Sequence, residues 1–235
     1  MICPQCHKPY FFIEDTKRDT SSCLRCFHTE PFKQPSYDAY HETLYVKPYR
    51  RDRFSDPQMK KILNILGPKT ANTILDLGCG VGDYTKAFGE YTKNVIGIDL
   101  SVSEAEKKYA GINFRAHDLN MPLPFPNDSF DMLVSINLIE HLQDEKQFLD
   151  ECIRVIKPGG KIVITTANLD FALHDWFFDK THVHEWTLDQ FRIIMEQYFE
   201  TIVVEKSSSM FNYYPLNFIT TKFLKPDLLF IGTKR

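Results

Sequence analysis

Four cysteines near the start of the chain come in two units, Cys3-x2-Cys6 and Cys23-x2-Cys26, separated by 16 residues. Four thiolates at this spacing can close a tetrahedral zinc site of the ribbon type. Such a site leaves no coordination position open, so its role is structural. It would also order residues 1–30, which hold few apolar side chains. His7 and His28 follow the two units and read as neighbours of the site rather than ligands. A second group lies in Asp76-Leu77-Gly78-Cys79-Gly80-Val81-Gly82, where an acid precedes closely spaced glycines. Glycines there let the backbone approach a ligand, and a dinucleotide is one such ligand. Asp99 and Asp118 come next, and a carboxylate at Asp99 can accept hydrogen bonds from both hydroxyls of a ribose. Glu140-His141 and, separately and farther along, His182, His184 and Glu185 are residue types of proton transfer. Cys79, inside the glycine loop, and Cys152, inside a helical stretch, read as packing residues rather than nucleophiles.

The elements that must position these groups alternate between strand and helix from Ala71 onward. Strands are expected at 73–77, 94–99, 112–116, 130–136, 161–166, 201–205 and 227–232. Helices are expected at 83–90, from Ser101 to about Tyr109 with Glu104 completing a capping box, at 145–156, and from a Thr187 cap through Tyr198. Lys157-Pro158-Gly159-Gly160 is expected to stop the third of these. Before Ala71, Asp56-Pro57 opens an amphipathic helix to about Leu66. Such alternation implies a parallel sheet covered on both faces, with ligands at the carboxyl ends of its strands. Asp76, Asp99 and Asp118 each fall at or just beyond such an end.

The segments ILDLGCGVGDYT (74–85), GIDLS (97–101), HDLN (117–120), FDMLVSINLIEHL (130–142) and IKPGGKIVITT (156–166) resemble the successive signature segments of class I S-adenosylmethionine-dependent methyltransferases. The resemblance covers roughly residues 57–205. It implies an α/β fold: a Rossmann-like seven-stranded sheet with helices on both faces, its last two strands an antiparallel hairpin. It implies S-adenosylmethionine as cofactor, with Asp76, Gly78 and Gly80 near its methionine part, Asp99 at the ribose, and Asp118 and Leu119 at the adenine. Cys79, Leu100 and Asn137 complete the expected contacts. The domains expected are a zinc ribbon at 1–30, a connector and lid at 31–70, and the methyltransferase domain at 71–235.

The acceptor is read mainly from the residues after the fourth strand. Ser135-Ile136-Asn137-Leu138 is neither the Asn/Asp-Pro-Pro-Tyr motif of exocyclic amino methylation nor a Pro-Cys motif of cytosine C5 chemistry. Thr181-His182-Val183-His184-Glu185-Trp186-Thr187 resembles a segment of the small-molecule branch, and Tyr37-Asp38-Ala39-Tyr40-His41-Glu42 a tyrosine-rich stretch of bacterial members that carry a ribbon and act on sugars. The expectation is O-methylation of a small-molecule acceptor, a sugar or sugar-derived metabolite, with His182, His141, His184 and Glu140 as catalytic candidates. Ubiquinone-pathway O-methyltransferases carry Glu-x-x-Glu-His here; Asn137 replaces the first Glu, which puts a catalytic divalent ion in doubt.

Two other readings stay open. Lys47, Arg50, Arg51 and Arg53, with Tyr45 and Tyr49, could hold RNA beside the ribbon, as in ribosomal RNA guanine methyltransferases. A non-catalytic module that binds the cofactor is the other. Composition weighs against nucleic acid: residues 1–71 hold 12 basic and 8 acidic side chains, and the whole 235-residue chain has a net charge of −3. Four thiolates on zinc would lower the basic excess further. With 43% hydrophobic residues, no apolar run of the roughly 20 residues that span a bilayer, and no signal-peptide pattern, a cytoplasmic protein is expected. The aromatic stretch Ser207–Lys225 is either an apolar wall for the acceptor or an interface between subunits.

Overall fold

The computed structural model describes residues 12–15, 20–23, 29–31, 62–64, 72–171, 181–207 and 227–235, the first three stretches by their backbone alone. The chain divides into two compact units, Met1–Arg50 and Arg51–Arg235. In the first, β1 (Phe12–Asp15), β2 (Thr20–Cys23) and β3 (Thr29–Pro31) form an antiparallel sheet in that order, with Phe12 opposite Cys23 and Thr20 opposite Pro31. Cys3, Cys6, Cys26 and the side chain of Cys23 lie outside the described residues, as does the segment Lys47–Arg53.

The second unit is built on seven strands. They are β4 (Ile74–Leu77), β5 (Val95–Asp99), β6 (Asn113–Ala116), β7 (Phe130–Ile136), β8 (Ile156–Ala167), β9 (Glu200–Ser207) and β10 (Asp227–Thr233). Their order is β6-β5-β4-β7-β8-β10-β9. The first five run parallel, and β10 is antiparallel to both β8 and β9. The chain winds outward from β4 through β5 to β6, then returns to β7 on the other side of β4. That reversal is the switch point at which open α/β sheets bind their ligands.

Period-two alternation puts each strand's apolar side chains on both faces, as a doubly covered sheet requires. Leu75, Leu77, Leu133, Ile162, Ile164, Leu228 and Phe230 form one face. They pack with Phe148, Leu149, Cys152 and Val155 of α3 (Glu145–Val155) and Phe191 and Met195 of α4 (Leu188–Tyr198). Ile74, Met132, Val134, Val163, Leu229 and Ile231 form the other, under Ala87 and Phe88 of α1 (Asp83–Gly89) and under Ile62 and Leu63. Residues 62–64 are helical, within the helix expected to end near Leu66.

Two expectations need correction. The helix after β5, α2 (Ser103–Lys108), has Val102 at its N-cap and no side-chain cap, so the Ser101–Glu104 box does not form. The Ser101 amide turns back to Asp99 Oδ1 at 3.4 Å, and Glu104 pairs with Lys107 at 2.7 Å instead. The second concerns Lys157–Gly160, which lies inside β8 rather than before it. Pairing with β7 jumps from Phe130–Ile156 to Met132–Lys161, so the segment is a bulge, with Gly159 at φ +71°. In contrast, α4 carries the expected cap: Thr187 Oγ1 accepts from the Gln190 amide and the Gln190 side chain accepts from the Thr187 amide.

Candidate active site

The glycine loop leaves the end of β4 at the switch point. The Gly78 and Cys79 amides donate to the Ile98 carbonyl at 2.9 and 3.0 Å, which seats the loop on β5. Gly78 has φ +75°, and a Cβ there would stand 3.0 Å from Leu138 Cδ1, just past β7. Only glycine keeps both that backbone and that approach. Asp76 is fully buried beneath the loop and accepts from the Thr85 hydroxyl of α1 at 2.5 Å. Burial pushes its carboxyl up to about 7, helped by the nearby Asp99 and opposed by Thr85. Asp99, also buried, accepts from the Gly80 amide at 2.9 Å, so the ribose candidate and the loop are one construction.

Other expected contacts are more dispersed. Asp118 is exposed, and its Oδ1 accepts from the Asn120 amide at 2.9 Å and side-chain nitrogen at 3.0 Å. Leu119 turns its side chain into the core beside Leu123 and Phe130. Leu100, next to Asp99, is 53% exposed, an apolar side chain held at the mouth of the site. Cys79 and Cys152 are buried, and burial raises both thiols above their usual range, as fits packing residues. Asn137 follows β7 with φ +49°, a left-handed conformation that asparagine adopts more readily than most residues. Its amide donates to the Thr165 carbonyl at 3.0 Å and its side-chain oxygen accepts from the Thr165 hydroxyl at 2.8 Å.

Beyond Asn137 a single 3-10 turn, Ile139–His141, carries Glu140 and His141. The segment 181–186 folds over that turn, with the Val183 and His184 amides donating to the Glu140 carbonyl at 2.7 and 3.2 Å. His182 thereby meets His141 edge to face, ring centroids 4.9 Å apart. Glu140, His141 and His182 bring one potential ligating atom each within 4.8 Å of the others, the group among the described residues best placed to hold a metal ion. Each side chain is also tied to protein: Glu140 Oε2 accepts from the Thr166 hydroxyl at 3.0 Å, His141 Nδ1 lies 3.0 Å from Thr181 Oγ1, and His182 Nδ1 lies 2.6 Å from Glu185 Oε1. Burial pushes Glu140 up to about 7 although His182 opposes it, and burial with His182 alongside takes His141 down to about 4. His184 is turned elsewhere: its ring stacks on Trp186 at 5.7 Å, with Nε2 3.2 Å from Glu145 Oε2.

Thr85, Thr166 and Thr181 escape sequence reasoning because threonine is ordinary in such elements and its partner is set by sheet order. Glu185 stands out only as the acid three residues after His182.

Residues 75–164, within this fold and its glycine loop, match the family model described as a methyltransferase domain. That segment is similar to a methyltransferase domain. A probable S-adenosylmethionine-dependent methyltransferase of Mycolicibacterium smegmatis is 36% identical over 98 residues, 40% of this chain and 38% of the relative. A ubiquinone biosynthesis O-methyltransferase of Coxiella burnetii is 32% identical over 108 residues, 43% of this chain and 46% of the relative. The chain thus spans less than half the length of these curated relatives. Among solved structures, an S-adenosylmethionine dependent methyltransferase of Mesorhizobium loti shares the fold with a TM-score of 0.61 at 20% identity, over 80% of this chain and all of that one.

Proposed function

We propose that the chain transfers a methyl group from S-adenosylmethionine to a hydroxyl oxygen of a small-molecule acceptor, a sugar or sugar-derived metabolite. The observation that carries the reading is the placing of two half-sites on either side of one switch point. Asp76, Gly78, Gly80 and Asp99 form one of them, and Glu140, His141 and His182 the other. The first suits the cofactor: a glycine loop at the carboxyl end of β4, with buried carboxylates beside it for a ligand that bears positive charge. When bound, S-adenosylmethionine supplies a methyl group on a positively charged sulfur. The second half-site suits a hydroxyl, whose proton needs an acceptor as the oxygen attacks. His141, depressed to about 4, is a weak acceptor, which favours His182. Similarity to a protein named as an O-methyltransferase agrees with oxygen as the target atom.

The sugar assignment rests on the Thr181–Thr187 and Tyr37–Glu42 segments of the sequence. A structural zinc on Cys3, Cys6, Cys23 and Cys26 belongs to the same proposal and rests on their spacing. The test is methyl-labelled S-adenosylmethionine incubated with a cell extract and the full chain, followed by separation of small molecules, RNA and protein. Label on oxygen in the small-molecule fraction is expected. Label in RNA, on carbon or on nitrogen would overturn the proposal.

A further inference from the structure

We propose that Thr85 is a positioning residue that keeps the buried Asp76 carboxylate charged and oriented for the positively charged S-adenosylmethionine. The inference rests on the methyl-transfer reading and deepens it by assigning a role to a side chain outside the candidate set. Thr85 lies in α1 and is fully buried, so it acts on the cofactor only through another group. Its hydroxyl donates to Asp76 Oδ2 at 2.5 Å. The sheet makes the room for that contact. Gly97 of β5 stands opposite Asp76 in the register, and a Cβ on it would lie 2.8 Å from Thr85 Oγ1 and 3.0 Å from Cys79 Cβ. Gly97 has no left-handed backbone to account for it. Its missing side chain is the space that the Thr85 hydroxyl fills.

The rest of the surroundings disfavours a charge on Asp76. Burial works against the ionised form, and the Asp99 carboxylate of β5 adds repulsion. The Thr85 hydroxyl and amide are the groups that oppose them. The Cys79 thiol of the loop also faces Asp76, and Val134 of β7 lies across the sheet from it. Among the described residues no cationic side chain stands against this carboxylate. That choice of partner matters. A cation would hold Asp76 ionised and cancel its field, whereas a hydroxyl donor favours the ionised form and leaves the charge in place. S-adenosylmethionine bears positive charge on its sulfur and on its methionine amine, so the ionised carboxylate is the form that attracts it. Burial raises the Asp76 carboxyl to about 7, and binding therefore sends its proton to solvent. Affinity is full above that pH and falls as pH drops through it.

The test is calorimetric titration of the full chain with S-adenosylmethionine at pH 6 and at pH 8.5, for wild type, Thr85→Val and Thr85→Ser. Thr85→Val keeps the shape and loses the donor. It is expected to bind about tenfold more weakly than wild type at pH 6 and within about twofold of it at pH 8.5. Thr85→Ser, which restores the hydroxyl, should follow wild type at both. The cofactor's amine titrates alike in all three and cancels in the comparison. A loss in Thr85→Val by the same factor at both pH values marks a packing role alone and would overturn the proposal, as would no loss at either. Carbon-13 NMR of the Asp76 carboxyl in the cofactor-free chain gives a second reading. Its midpoint should lie near 7 in wild type and higher in Thr85→Val, or in Thr85→Ala if the valine chain does not fold. An unmoved midpoint beside normal wild-type binding would overturn the proposal alone. Absent binding by the wild-type chain would overturn the methyl-transfer reading and the proposal with it, while the carboxyl titration still reads the link between Thr85 and Asp76.

Discussion

Asp76 and Glu140 are buried acids on opposite sides of the switch point, and burial raises each to about 7. The consequence for stability has a definite sign. A carboxyl whose folded pKa lies above its unfolded value holds a proton in the folded chain that the unfolded chain has lost, so stability falls as pH rises across the interval. For Asp76 that interval runs from 3.8 to about 7. Asp76→Asn, which keeps an acceptor for Thr85, is therefore expected to raise the stability of the cofactor-free protein at pH 8 by roughly 2–4 kcal/mol and to change it little near pH 4. Denaturant unfolding at the two pH values checks this; equal effects at both would contradict it. Asp99→Ala removes the acceptor shared by the loop and the expected ribose. Loss of about 1.5–3 kcal/mol of S-adenosylmethionine affinity is expected by calorimetry. The gathering of Asp76 and Asp99 around the glycine loop was legible in the sequence because each acid closes a strand beside it. Thr85 and Thr166 were not, since their bonds to Asp76 and Glu140 cross 9 and 26 residues and exist only once the strands are ordered.

At the scale of elements, the caps show what local sequence can and cannot specify. Thr187 caps α4 as the sequence suggests, and Gln190 completes the box. Thr187→Ala is expected to cost about 0.5–2 kcal/mol, read as a lower midpoint in thermal unfolding. Ser101 loses the equivalent role: its amide turns to the Asp99 carboxylate while Glu104 pairs with Lys107. Lys157–Gly160 carries the breakers of a turn, yet the β7 edge recruits it as a bulge. Gly82, at φ +81° with an added Cβ 2.6 Å from Phe114, is a place where the loop, α1 and β6 meet. Gly82→Ala is expected to lower the midpoint of thermal unfolding and to weaken cofactor binding together, through roughly 1–3 kcal/mol of backbone strain plus the clash. A variant with wild-type stability and affinity would contradict this view of the loop.

For the molecule as a whole, the alternation of strands and helices carried the seven-stranded sheet, and the resemblance carried the antiparallel pairing of β9 with β10. The meeting of His182 with His141 was not legible, since it depends on segment 181–186 folding back over a turn some 40 residues earlier. The cysteine spacing implies a metal of its own. One zinc per chain is expected by elemental analysis, lost in Cys23→Ser while S-adenosylmethionine still binds; full zinc retention in that variant would show a different ligand set. The central claim concerns the transferred methyl group, and one measurement reaches it most directly. That measurement is incorporation of label from methyl-labelled S-adenosylmethionine into the small-molecule fraction of an extract, with the Asp99→Ala chain alongside. The account predicts a labelled methyl ether with the wild-type chain and a strongly reduced yield with the variant. Label confined to RNA, or none transferred by a wild-type chain shown to bind S-adenosylmethionine, would contradict it.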